Sequence, residues 1–262
     1  MNNKKIIALT SFLLLTSCVS EDLTIKEVVK IDSGVIKGSH NAELKQYLGI
    51  PYAEPPIDNL RWAPTSPVKS WEGVKSVKSN SKICYQPRQM AEFYDRGPNM
   101  NDMSEDCLTL NVWTRAVKRD EKLPVMVWFH GGALVWGSGS EYSGEELTKQ
   151  GVILVTVNYR LGPFGFFSHP ELSEETGTSG NQGFKDQILS LKWVKENIDK
   201  FGGDPDNVTI FGESAGSWSV NVLQASPLSR GLFHKVIGQS GARLIPLTHL
   251  NQTAPYSDSA EQ

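Results

Sequence analysis

Val208-Thr209-Ile210-Phe211-Gly212-Glu213-Ser214-Ala215-Gly216 decides the fold. The first four residues are apolar or β-branched and predict a strand. The residues from Ala215 through Val222 continue in a helical pattern. A G-x-S-x-G sequence between a strand and a helix predicts a sharp turn with strained dihedrals at the serine, since small flanking residues let the backbone pass close by. Such a turn lifts the Ser214 hydroxyl out at a helix start, where the dipole and free N–H groups favour a negative oxygen.

Other short apolar runs lie on either side: Leu108 to Trp113, Val125 to Phe129, Val152 to Val157 and Val236 to Ile237. Such runs suit central strands covered on both faces. Between them, Asn181 to Phe201 places Phe184, Ile188, Leu191, Trp193, Val194 and Ile198 near a 3.6-residue period, and Gly202-Gly203 closes the helix. Strands alternating with helices predict an α/β fold with a mostly parallel doubly wound sheet. Residues 25–50 alternate and turn, and predict a small N-terminal antiparallel meander. Residues 51–100, rich in Pro, Asn and Ser, predict long surface loops. In such sheets ligands bind beyond the carboxyl ends of the strands.

A second loop leaves at one of those ends. Val125 to Phe129 runs into His130-Gly131-Gly132-Ala133-Leu134, which resembles the HGGG-type oxyanion loop of lipases and esterases. A tetrahedral intermediate needs donors aimed where its negative oxygen develops, and unencumbered backbone N–H groups supply them.

The composition sets outer limits. Lys and Arg number 26 against 29 Asp and Glu, a net charge of −3, which excludes a strongly basic nucleic-acid binder. With 39% hydrophobic and 21% charged residues, a disordered chain is excluded as well. The first residues form an export signal: Lys4 and Lys5, an apolar run from Ile6 to Leu15, then small residues. That run is shorter than a membrane-spanning helix needs. Leu15-Thr16-Ser17-Cys18 resembles the lipobox of bacterial lipoproteins. It predicts a signal peptide over residues 1–17, a lipidated Cys18 and, since no Asp follows Cys18, the outer membrane if the cell has one. A plain secretory peptide is the other reading. Export also permits a disulfide between Cys84 and Cys107, with two buried thiols as the alternative.

Taken together, these residues resemble the type-B carboxylesterase family on the α/β-hydrolase fold, which includes the cholinesterases. Phe201-Gly202-Gly203-Asp204-Pro205, continuing through Phe211 to Gly216, matches one signature. Glu105-Asp106-Cys107-Leu108-Thr109-Leu110-Asn111-Val112-Trp113 matches another. Asn158 to Gly165 and Gly180 to Gly183 also fit, so the likeness runs from about residue 25 to the end. The resemblance implies Ser214 as nucleophile. It implies an oxyanion hole from the N–H groups of Gly132, Ala133 and Ala215, with Gly131 shaping the loop. It implies a Cys84–Cys107 bridge, an Arg61–Glu105 pair and an Arg160–Asp186 pair. Glu213 is either the acid side of the substrate pocket or a carboxylate held by local hydrogen bonds. No metal or cofactor is implied.

The sequence departs from the family in two places. Arg96-Gly97-Pro98-Asn99-Met100 carries no Trp where cholinesterases have their aromatic choline site, so a cholinesterase is not expected. The triad order in this fold is Ser, acid, His, yet after Ser214 both histidines, His234 and His249, precede both acids, Asp258 and Glu261. Both histidines read as solvated or lightly packed. Asp258-Ser259-Ala260-Glu261 has the spacing of a capping box for a helix that would follow. The expectation is therefore one domain over 18–262, the N-terminal portion of a carboxylesterase, exported to the cell envelope and acting on small carboxylic esters. The competing expectation is a truncated, inactive, esterase-like binding module.

Overall fold

A computed structural model describes residues 22–41, 43–89 and 100–242. The strands are β1 (Val28–Ile31), β2 (Gly34–Lys37), β3 (Ser39–His40), β4 (Lys45–Pro51), β5 (Val74–Ser76), β6 (Ile83–Cys84), β7 (Met103–Ser104), β8 (Thr109–Thr114), β9 (Leu123–Phe129), β10 (Ile153–Val157), β11 (Gly203–Glu213) and β12 (Lys235–Gln239). The α-helices are α1 (Glu145–Thr148), α2 (Gly162–Phe166), α3 (Pro170–Thr176), α4 (Gln182–Asn197) and α5 (Ala215–Ala225).

Seven strands form the main sheet in the order β12-β11-β9-β10-β8-β4-β3. β8 and β10 are buried at every position, as their unbroken apolar runs predict for strands covered on both faces. Asn111, one of three buried polar residues of β8, is satisfied: it accepts from the Gly49 N–H at 2.7 Å and donates to Thr156 Oγ1 at 3.2 Å. β12, β11, β9 and β10 are parallel, the expected doubly wound half. β8, β4 and β3 continue the sheet antiparallel. The link from β8 to β9 explains the reversal. Residues 115–122 are too few for the crossover helix that parallel strands require.

The N-terminal meander is divided. β1 and β2 form an antiparallel hairpin that recruits β5 in parallel into a separate three-stranded sheet, while β3 and β4 join the main sheet at its edge. The 51–89 stretch is mostly irregular, as expected, with β5 and β6 as short exceptions.

α4 packs as its periodicity predicts, with Ile188, Leu191, Trp193 and Val194 buried. It tightens into a 3₁₀ turn over Ile198–Phe201 and stops at Gly202, whose φ of +83° needs no Cβ. Beneath the helix, Arg160 and Asp186 form the expected buried pair, and Arg61 and Glu105 pair nearer the surface.

Candidate functional site

Phe129, at the end of β9, lies opposite Gly212 near the end of β11, and the two strands are parallel. The loop after β9 and the turn after β11 therefore leave at the same end of the sheet. Ser214 occupies that turn at φ 53° and ψ −117°, a left-handed backbone that costs a non-glycine residue about 1–3 kcal/mol. α5 begins at the next residue. The flanking glycines permit the close approach. A Cβ on Gly216 would lie 2.0 Å from the Phe129 carbonyl oxygen.

The turn is held from outside. Ser214 donates its N–H to the carbonyl of Gln239, the last residue of the neighbouring strand β12, at 2.8 Å. Ser217 Oγ donates to the Gly241 carbonyl, and Asn221 Nδ2 donates to the Ser217 carbonyl at 2.8 Å. The 239–241 turn was not picked out in the sequence. Its only signal is Gly238 and Gly241 around Gln239-Ser240 at the end of an apolar run.

The loop after β9 lies directly against Ser214. A Cβ added to Gly131 would stand 3.3 Å from Ser214 Cβ and 2.8 Å from the Glu213 carbonyl oxygen. Gly132, Ala133 and Leu134 take φ values of 99°, 56° and 62° in succession. The N–H groups of Gly132, Ala133 and Ala215 have no hydrogen-bond partner among the described residues. Three unpartnered donors thus belong to the two segments that meet at the serine.

Several contacts fix this loop. The Val135 and Trp136 N–H groups both donate to the Gly132 carbonyl, at 2.9 and 3.0 Å, and the Gly162 N–H donates to the Leu134 carbonyl at 2.7 Å. Tyr159 donates its hydroxyl to the His130 carbonyl at 2.8 Å and stacks on the His130 ring at 4.4 Å. His130 donates from Nδ1 to the Gly131 carbonyl at 2.8 Å. Burial drops the His130 imidazole from 6.5 to about 4, so it is neutral and poorly suited as a base at pH 7. Farther along, Gln86 grips Gly137 from both sides, accepting its N–H at 2.8 Å and donating to its carbonyl at 3.1 Å. The same Gln86 amide donates to the Cys84 carbonyl at 3.0 Å. Cys84 is bridged to Cys107, as expected. The disulfide is therefore coupled to the loop after β9 through one side chain.

The Glu213 carboxylate takes no hydrogen bond from a described residue. It lies near an aromatic group. Trp128 packs on Tyr142 at 5.0 Å and on Phe211 at 4.7 Å. The Tyr142 phenol is pushed up to about 12, chiefly by burial and then by the Glu141 and Glu213 carboxylates.

His234 is at the other end of the sheet. Its Nδ1 accepts from the Val208 N–H at 3.1 Å, and its own N–H donates to the Val208 carbonyl at 2.8 Å. Val208 to Ser214 along an extended strand is about 20 Å, far beyond proton-transfer reach. Cys18, His249, Asp258, Glu261 and residues 96–99 lie outside the described residues. Among the described residues, no group of three His, Cys, Asp or Glu side chains is arranged to hold a metal ion. No described helix is long and apolar enough to cross a membrane.

The cocaine esterase of Homo sapiens is 45% identical over 80% of this chain and 38% of its own length. The para-nitrobenzyl esterase of Bacillus subtilis is 46% identical over 82% of this chain and 44% of its own length. A solved PNB esterase structure superposes with a TM-score of 0.77 at 44% identity, covering 84% of this chain and 45% of that one. The chain thus spans less than half the length of the relatives it matches. The Carboxylesterase family profile matches residues 25–261, and the chain belongs to that family on an α/β-hydrolase fold.

Proposed function

We propose that this chain carries the nucleophile and the oxyanion hole of a serine carboxylic ester hydrolase. One observation carries the reading: the loop bearing the Gly132 and Ala133 N–H groups, which have no partner among the described residues, runs against a strained Ser214, with Gly131 and Ser214 nearly in contact. Ser214 Oγ attacks the carbonyl carbon of a small carboxylic ester as a histidine removes its proton. The Gly132, Ala133 and Ala215 N–H groups stabilise the resulting oxyanion. The protonated histidine then gives its proton to the departing alkoxide, which leaves as the alcohol. Water attacks the acyl-enzyme, giving the carboxylic acid and restoring the Ser214 hydroxyl. Glu213 borders the acid side of the pocket.

No described histidine hydrogen-bonds Ser214, so the reading assigns the base and its acid partner to residues beyond those described. A triad lacking its histidine loses about 10⁶ in rate, while oxyanion stabilisation and binding alone leave about 10³–10⁴ over water. The 262-residue chain by itself is expected to turn over esters poorly. That no base stands at Ser214 among the described residues also admits a second reading, an inactive esterase-like module. Covalent labelling separates them. An activated organophosphonate should leave one adduct on Ser214, read by intact mass and peptide mapping, and none on Ser214→Ala. An unlabelled wild-type chain refutes the nucleophile assignment. Rapid ester turnover by the chain alone refutes the claim of a missing base.

The same proposal places the protein in the cell envelope, held by lipid on Cys18. Cys18→Ala should move it from the membrane fraction to the soluble one. Unchanged fractionation refutes the anchor.

A further inference from the structure

α5 starts at Ala215, so the orientation of its first turn sets where the Ala215 N–H points. The turn is closed by the Trp218 N–H, which donates to the Ser214 carbonyl at 3.0 Å. A further hold comes from α4. Gln187 Nε2 donates to Ser219 Oγ at 2.9 Å, and Ser219 Oγ donates to the Ala215 carbonyl at 3.1 Å. A side chain of one helix thus reaches, through a single hydroxyl, the residue whose own N–H has no partner among the described residues. Gln187, Ser219 and Ala215 are all fully buried. Two hydrogen bonds in line polarise each other in such a medium.

Stability alone does not account for this pair. A helical serine that bonds back to the carbonyl four residues earlier slightly destabilises its helix. Gln187 also keeps its Oε1 buried with no hydrogen-bond partner among the described residues. A buried acceptor left unmet is costly, whereas replacing both partners of such a bond with apolar groups can be neutral or stabilising. Packing by itself therefore favours Leu at 187 and Ala at 219. What the polar pair secures instead is the conformation of the turn.

We propose that Gln187 is a positioning residue: through Ser219 it fixes the first turn of α5, and with it the Ala215 N–H of the oxyanion hole. The proposal rests on the reading of Ser214 as nucleophile and of Ala215 as oxyanion donor. Loss of one oxyanion donor costs about 10²–10³ in rate, so a donor that is present but misaligned should cost about tenfold or more.

The test uses the full chain and a p-nitrophenyl alkylphosphonate. Ser214 Oγ attacks phosphorus, the P–O bond to the aryl group breaks, p-nitrophenolate leaves, and the serine proton passes to solvent. Labelling over a range of probe concentrations separates the limiting rate constant from the half-saturating concentration, and the nitrophenolate released counts the reacting sites. Gln187→Leu with Ser219→Ala leaves no polar atom of the pair behind. Its limiting rate constant should fall about tenfold or more, with half-saturation, amplitude and urea midpoint held. A merely structural pair lowers the midpoint or the amplitude and spares the rate constant. Gln187→Met, close to glutamine in shape, serves if the double variant does not fold, and the same kinetic loss is expected. Hydrogen exchange at the Trp218 and Ser219 N–H groups is an independent readout and should quicken in the folded variant. Labelling at the unaltered rate constant, or exchange that does not change, overturns the proposal. If the unaltered chain takes no label, the nucleophile reading falls. Quicker exchange then still supports the hold of Gln187 on the turn, and unchanged exchange overturns that too.

Discussion

Asp186→Asn should be among the most damaging isosteric changes in this chain. Asp186 is fully buried and Arg160 nearly so. The carboxylate accepts the Arg160 N–H at 3.0 Å, Nε at 2.9 Å and Nη2 at 2.7 Å, and it also accepts the Thr65 hydroxyl. Arg160 in turn donates Nη1 to the carbonyls of Arg61 and Ala63, at 3.0 and 3.1 Å. Asparagine keeps the shape but removes the charge, and its amide nitrogen faces a donor. A guanidinium is then left buried without a counter-ion, which costs about 3–5 kcal/mol. In urea, with a slope near the upper end of the usual 1–3 kcal/mol per molar, the midpoint should fall by about 1–2 M. The seven tryptophans supply the fluorescence signal. The double change Arg160→Met with Asp186→Leu should recover much of the loss, since no charge then stays buried. The recovery should be incomplete, because the Arg61 and Ala63 carbonyls lose their donor. If Asp186→Asn shifts the midpoint no more than breaking the exposed Lys195–Asp206 pair does, the reasoning is refuted.

Two further outcomes are expected. Gly216→Ala would ordinarily stabilise a helix by about 1 kcal/mol. Here the new Cβ would lie 2.0 Å from the Phe129 carbonyl oxygen, so overpacking of about 1–3 kcal/mol or more should win and the urea midpoint should fall. For His130, the folded pKa of about 4 lies below the ordinary 6.5, so its stabilising contribution is complete above pH 6.5 and is lost as pH falls toward 4. Between those limits the unaltered chain should lose about 3 kcal/mol more than His130→Phe, read from urea midpoints at each pH, and parallel profiles would contradict it.

Local signals made the elbow and α4 readable. G-x-S-x-G between a β-branched run and a helical stretch specifies Ser214 without help from elsewhere in the chain. A 3.6-residue period closed by Gly202 specifies α4. Strand orientation left no such trace. A strand buried on both faces shows an unbroken apolar run whichever way it points, so the antiparallel β8 reads like the parallel β10. The division of the 25–50 region was likewise invisible, because it depends on pairings of β2 with β5 and of β4 with β8. The supports of the oxyanion loop, Tyr159, Gln86 and the 239–241 turn, are all distant in sequence from the atoms they hold.

Those distant supports follow from the backbone the site requires. Ser214, Ala133 and Leu134 all adopt left-handed φ values, each at a cost of about 1–3 kcal/mol when not glycine. Short-range propensity opposes all three, so the conformation persists only where other segments impose it. β12 does so through the Gln239 carbonyl on the Ser214 N–H. The stretch after β10 contributes Tyr159 on His130 and Gly162 on Leu134. The disulfide segment contributes Gln86 on Gly137. Every one of these imposing groups lies within the described residues, whereas no described histidine hydrogen-bonds the serine. Under the proposed function, the positioning of nucleophile and oxyanion donors is thus a property of the described residues. In an enzyme built this way the strained geometry can be complete before the base is in place. Reactivity of Ser214 toward a phosphonate and turnover of an ester are then separate properties, and the first can be retained where the second is absent.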